Sequence, residues 1–94
     1  MSFFQAIQFQ YKADDDVRSF LRGFSEVAAF EESSDFYYYS QLAGQPAFKF
    51  DCEFVNGGLF TTREGEYFMF LGYFLEALTK CFGAIEIGPE GACF

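Results

Sequence analysis

The sequence predicts an α+β domain built as a two-layer sandwich, an antiparallel sheet with two helices on one face. Three observations carry this expectation. Apolar and polar residues alternate across residues 3–12 and again across residues 47–55, the period of a half-buried strand. Apolar residues recur at helical spacing behind Asp14-Asp15-Asp16 and again over residues 67–82, each marking an amphipathic helix. Turn-forming clusters at residues 31–35, 43–46 and 56–58 separate these segments.

In residues 3–12, Ile7, Phe9 and Tyr11 share one side and Gln8 and Gln10 the other, so this is a strand. The three aspartates that follow suit the positive end of a helix and can cap its free N–H groups. Behind them Val17, Phe20, Leu21, Phe24 and either Val27 or Ala28 form the apolar stripe, with Arg18, Arg22 and Glu26 opposite. Gly23 costs about 1 kcal/mol relative to alanine inside a helix, which signals close packing or a weak helix. Its end is open, because residues 27–31 also fit a short strand.

Residues 36–42 have high strand propensity. Residues 47–55 follow with Phe48, Phe50, Cys52 and Phe54 inward and Lys49, Asp51 and Glu53 outward, and the two segments form an antiparallel hairpin. Either Tyr37 and Tyr39 or Phe36 and Tyr38 then point outward beside the ionic row. After the turn Asn56-Gly57-Gly58, Leu59 and Phe60 pair briefly before Thr61 or Thr62, with Glu64, caps the second helix. Its stripe runs through Tyr67, Leu71, Phe74, Leu78 and Cys81, with Phe68, Leu75 and Phe82 beside it; Glu66, Met69, Tyr73, Glu76 and Lys80 lie opposite. Gly83 ends the helix, residues 84–87 form a last short strand, and residues 89–94 form a short C-terminal tail. The resulting order over residues 1–88, a single domain, is ferredoxin-like βαββαβ.

Composition bounds the function. Sixteen Phe and six Tyr, each worth about 150–250 Å², exceed what one small core hides, so aromatic surface is either scattered or kept for a partner. A net charge of −8 repels phosphate backbones and anionic lipid and steers basic proteins inward, although acidity also serves solubility. With no histidine, the chain lacks the usual general base and the commonest metal ligand; no catalytic residue, cofactor or metal is expected. Asp51 and Glu53 are the one pair of carboxylates sharing a strand face, and an exposed ionic row explains them as well. Three cysteines without a two-residue spacing indicate a reduced, cytoplasmic protein, with Cys52 and Cys81 in the core and Cys93 an exposed thiol.

The stretch Gly65-Glu66-Tyr67-Phe68, with Phe70-Leu71-Gly72 and on through Phe82-Gly83-Ala84-Ile85-Glu86-Ile87, resembles the small acidic immunity proteins that neutralise bacterial toxins. The resemblance implies a cytoplasmic inhibitor with no activity of its own that occludes a basic toxin site. On the residues themselves, the expectation is a protein-binding inhibitor using Asp14, Asp15, Asp16, Glu31, Glu32 and Asp35 with Tyr37 and Tyr39. Met69 and Tyr73 offer a further surface, suited to a homodimer. The alternatives are an anti-CRISPR-like nucleic-acid mimic that blocks a basic nucleic-acid-binding protein, and a small-ligand-binding domain.

Overall fold

The computed structural model describes residues 2–42, 44–88 and 91–93. Its elements are β1 (Ser2–Phe9), α1 (Asp14–Gly23), β2 (Ala28–Ser33), β3 (Phe36–Leu42), β4 (Phe48–Val55), β5 (Gly58–Gly65), α2 (Phe68–Phe82), β6 (Ile85–Ile87) and β7 (Gly91–Cys93). A 3₁₀ turn at Phe24–Glu26 continues α1. The strands form one antiparallel, seven-stranded sheet in the order β2-β3-β4-β5-β1-β6, with β7 also on β1. Because β6 lies against Ile7–Phe9 and β7 against Ser2–Phe4, the two share one edge.

The α+β class and the antiparallel sheet under two helices agree with the sequence, but the ferredoxin-like order does not. Residues 27–31, open between a helix end and a short strand, take the strand alternative as β2, and the brief pairing at Leu59 and Phe60 extends through the expected helix cap as the full strand β5. β5 then separates β4 from β1, and the chain from β2 to β5 is a continuous meander. Strand β5 hides from a hydropathy pattern because its inward residues are Leu59, Thr61 and Arg63, all buried. Thr61 donates to the Gln5 carbonyl at 2.9 Å instead of capping a helix. Arg63 donates to Gln5 Oε1 at 3.1 Å, with its guanidinium 5.1 Å from the Tyr67 ring centroid.

In the region expected to be a loose tail, Gly91–Cys93 is paired as β7. The expected reversal over residues 43–46 is a turn, with the Gln45 N–H donating to the Leu42 carbonyl at 3.1 Å and Gly44 at a φ of 75°; its first residue, Ala43, and the exposure of the Cys93 thiol lie outside the described residues.

Helix α1 carries the chain from β1 to the far edge at β2, and α2 carries it from β5 over β1 to β6. Both pack on one sheet face. Phe24 meets Tyr39 and Phe70, Phe20 meets Phe74 and Phe82, and Phe50 meets Phe70 and Phe74, with ring centroids 5.0–5.9 Å apart. Edge and offset contacts of this kind are the preferred aromatic geometries, and here they make the core largely a phenylalanine–tyrosine cluster.

The buried stripe of α2 is Tyr67, Phe70, Phe74 and Leu78, whereas Phe68 is 69% exposed and Cys81 is exposed. The helix is therefore rotated from its expected phase, and only Cys52 of the two cysteines placed in the core is buried. In α1 the stripe ends on Ala28, since Val27 is exposed. A Cβ at Gly23 would meet nothing within 4 Å, so that glycine marks the passage from α-helix to 3₁₀ turn and not a close contact. Among the described residues no helix is long and apolar enough to cross a membrane.

Candidate protein-binding face

With both helices on one face, the other face of the sheet is left uncovered, and strand register fixes what it shows. One row across β1, β5, β4, β3 and β2 reads Phe4, Thr62, Asp51, Tyr38, Glu31; the next reads Ala6, Phe60, Glu53, Phe36, Ser33. Residues opposite one another on antiparallel strands have Cβ atoms about 4.5–5.5 Å apart, so each row is a line of side-chain neighbours. Phe4 stacks on Phe60 with centroids 5.9 Å apart, and Phe36 on Tyr38 at 6.1 Å with planes 6° from parallel. Phe36 and Phe60 are each 39% exposed, so the stacks stand on the surface with one ring open to a partner.

Carboxylates interleave with these rings. Asp51 lies 3.6 Å from Lys49. Burial pushes the Asp51 carboxyl above its ordinary value and outweighs the opposing pull of Lys49, which means that the face is partly desolvated even without a partner. Glu53, half-buried between Phe36 and Phe60 in the row, makes no ion pair with a described residue.

The acidic residues picked out in sequence fall elsewhere, with one exception. Asp14, Asp15 and Asp16 form the exposed first turn of α1. Arg18 pairs with Asp15 one turn earlier on that helix at 3.2 Å and bridges to Asp35 at 2.9 Å, and Arg22 makes a two-pronged contact with Glu32 at 2.9 and 2.8 Å. These arginines tie α1 to the β2–β3 hairpin, whose turn residues Ser34 and Asp35 both have positive φ, at 46° and 68°. Much of the cluster is thus an internal clamp. The exception is Glu31, which belongs to the open sheet face opposite Tyr38.

The clamp has a pH signature. Hydrogen bonding to Arg22 lowers the Glu32 pKa from 4.5, and hydrogen bonding to Arg18 lowers that of Asp35 from 3.8. Carboxylates with folded pKa values below their unfolded ones add stability above the unfolded pKa and lose it as pH falls through the folded value. The melting temperature is therefore expected to fall on acidification from about pH 5 to pH 3. The double variant Glu32→Gln, Asp35→Asn should fall less over that range; an identical decline in both proteins would show that the clamp does not contribute.

Tyr37 and Tyr39 point the other way from the expected site. They are 0% and 1% exposed beneath α1, and the Tyr39 hydroxyl donates to the Leu21 carbonyl at 2.7 Å. Pairing decides this: Tyr37 and Tyr39 stand opposite Cys52 and Phe50, both fully buried, so the odd-numbered tyrosines go to the core and Phe36 and Tyr38 to the surface, while Leu42, of the other parity, is buried beyond the register shift at Ala29 and Phe30. Met69 and Tyr73 are exposed as expected, at 53% and 57%. With Val27, Leu42, Glu26 and Gln45 they line an open depression of about 510 Å³ on the helical side, remote from the carboxylates of the sheet face.

Two further open depressions, of about 580 and 620 Å³, adjoin at Gln10 and Tyr11. Cys81, Lys12 and Asp16 line the larger of the two. Among the described residues no group of histidine, cysteine, aspartate and glutamate side chains is disposed to hold a metal. No protein-family model, curated protein or solved structure matches the chain.

Proposed function

We propose that this chain is a small acidic inhibitor that works by occlusion, an immunity protein that covers the basic site of a toxin with the open face of its sheet. The single observation that carries the reading is that face itself, where two stacked aromatic pairs stand in register with Glu31, Asp51 and Glu53. Five strands at about 4.8 Å spacing and roughly 20–25 Å length give a projected area on the order of 500 Å². That is most of the roughly 800 Å² per partner of a standard protein complex, and the β2–β3 turn, which follows Ser33 and precedes Phe36, can extend it. Aromatic rings supply contact area at low conformational cost. The net charge of −8 steers a basic partner to the encounter.

The test is capture of the partner from the native cell, followed by reconstitution with the purified protein. A toxin recovered in this way should lose activity when the chain is added. Its association rate should fall steeply with salt, because exposed charges are screened over about 8 Å at physiological ionic strength. Glu31→Lys with Glu53→Lys should weaken binding at least about tenfold while leaving the melting temperature nearly unchanged. A partner that binds the double variant as tightly as the wild type would move the site off the sheet. A metabolite that raises the melting temperature, with no protein partner recovered, would replace the inhibitor reading with a ligand-binding one.

A further inference from the structure

Resting on the reading of the open sheet face as a docking surface, we infer that Glu53 is the receptor for an arginine side chain of the partner, with Phe36 and Phe60 as its walls. The register places Phe36 directly opposite Glu53 on one side and Phe60 directly opposite on the other. The two walls therefore stand two strand spacings apart, roughly 10 Å, with the carboxylate between them. Each wall is braced by a second ring, Phe36 by Tyr38 and Phe60 by Phe4, so neither ring has to be ordered when a ligand arrives.

The chemistry selects a guanidinium. A planar cation can lie over an aromatic face and still present a fork of N–H donors to a carboxylate. Glu53 offers two acceptor oxygens and has no competing cation among the described residues, whereas Asp51, one pleat away on the same strand, has Lys49 within 3.6 Å. A lysine ammonium would satisfy Glu53 as a point charge but would not use the walls as fully, because it is more strongly hydrated and has no plane to stack. Neutral or acidic side chains would leave Glu53 desolvated and unpaired. The same arrangement opposes self-association through this face, since a second copy would set its own carboxylate row against this one.

The experiment is an amide-shift NMR titration of the folded protein with a capped tetra-arginine peptide and its tetra-lysine counterpart at low salt. The arginine peptide should bind more tightly, with the largest shifts at Phe36, Glu53 and Phe60. Glu53→Gln should weaken it about tenfold, and the double variant Phe36→Ala, Phe60→Ala should erase most of the preference for arginine over lysine. Shifts confined to Asp14, Asp15 and Asp16, or affinity unchanged in Glu53→Gln, would overturn the arginine anchor. So would a sedimenting dimer whose interface hides the face at the titration concentration. The first two results would leave the occlusion reading untouched, since it stands or falls on the captured partner and the Glu31→Lys, Glu53→Lys variant; the dimer would remove the free face and overturn both.

Discussion

Replacing Phe70 with alanine is expected to destabilise the fold by about 3–5 kcal/mol, while the same change at Phe68, two residues earlier on α2, should cost no more than about 0.5 kcal/mol. Phe70 is fully buried, and its ring meets Phe24, Tyr39, Phe48, Phe50 and Phe74 at centroid distances of 4.9–5.9 Å. Removing it opens a cavity where both helices and the two central hairpin strands meet, and rings held by several neighbours cannot collapse into the space. Phe68 is 69% exposed and, among the described residues, stacks on Tyr67 alone, at 4.4 Å. A domain of this size has about 5–10 kcal/mol of stability in total, so the Phe70 variant should unfold at a much lower urea concentration. Equal shifts of the urea midpoint in the two variants would place the buried stripe of α2 on the wrong residues.

That contrast shows which part of the fold was legible in sequence. The period of α2 is plain, but its phase is not: phenylalanines at 68, 70, 74 and 82 and leucines at 71, 75 and 78 surround most of the helix, so hydropathy alone permits several stripes. Only the sheet it covers decides among them. Strand β4 is legible because apolar and charged residues alternate strictly from Phe48 to Phe54, and that alternation alone puts Asp51 and Glu53 on the outer face. Strand β5 hides from a hydropathy pattern because its core side carries Thr61 and Arg63, polar residues that donate to Gln5 of the neighbouring strand. No local pattern reports a partner more than fifty residues away.

The candidate site was half-visible for the same reason. The tyrosine run at 37–39 fits either parity in sequence, and the strand turns Tyr37 and Tyr39 inward and Phe36 and Tyr38 outward. The aspartates and glutamates near α1 drew attention as an acidic patch, yet Arg18 and Arg22 draw much of that charge into a clamp. What assembles the open face is cross-strand register, above all the insertion of β5 beside β4, which brings Phe60 to Glu53. Register is set by the whole sheet and by its turns, so these neighbours appear only once the strand order is known.

Gly58 is the residue on which that insertion depends most sharply, and Gly58→Ala should destabilise the protein by about 3 kcal/mol or more, at or above the usual range for overpacking. Gly58 is buried at the start of β5, paired with Gln8 on one side and Val55 on the other. An added Cβ would overlap the Ile7 carbonyl oxygen and come within 2.9 Å of Gln8 Cα. All of these are backbone atoms of β1, so no side chain can rotate to relieve the clash and the strand itself has to move. The adjacent Gly57→Ala is the control: its φ of +89° makes the substitution strained, but its Cβ would meet nothing within 4 Å, and the cost should stay near 1–2 kcal/mol. Because β1 carries Phe4, the brace behind Phe60, any Gly58→Ala protein that still folds should also hold its partner less tightly at the open face. Urea unfolding of the two variants side by side checks the first expectation and partner affinity the second; a Gly58→Ala protein as stable as Gly57→Ala would mean that β1 and β5 do not approach as closely as the register between Gly58 and Gln8 requires.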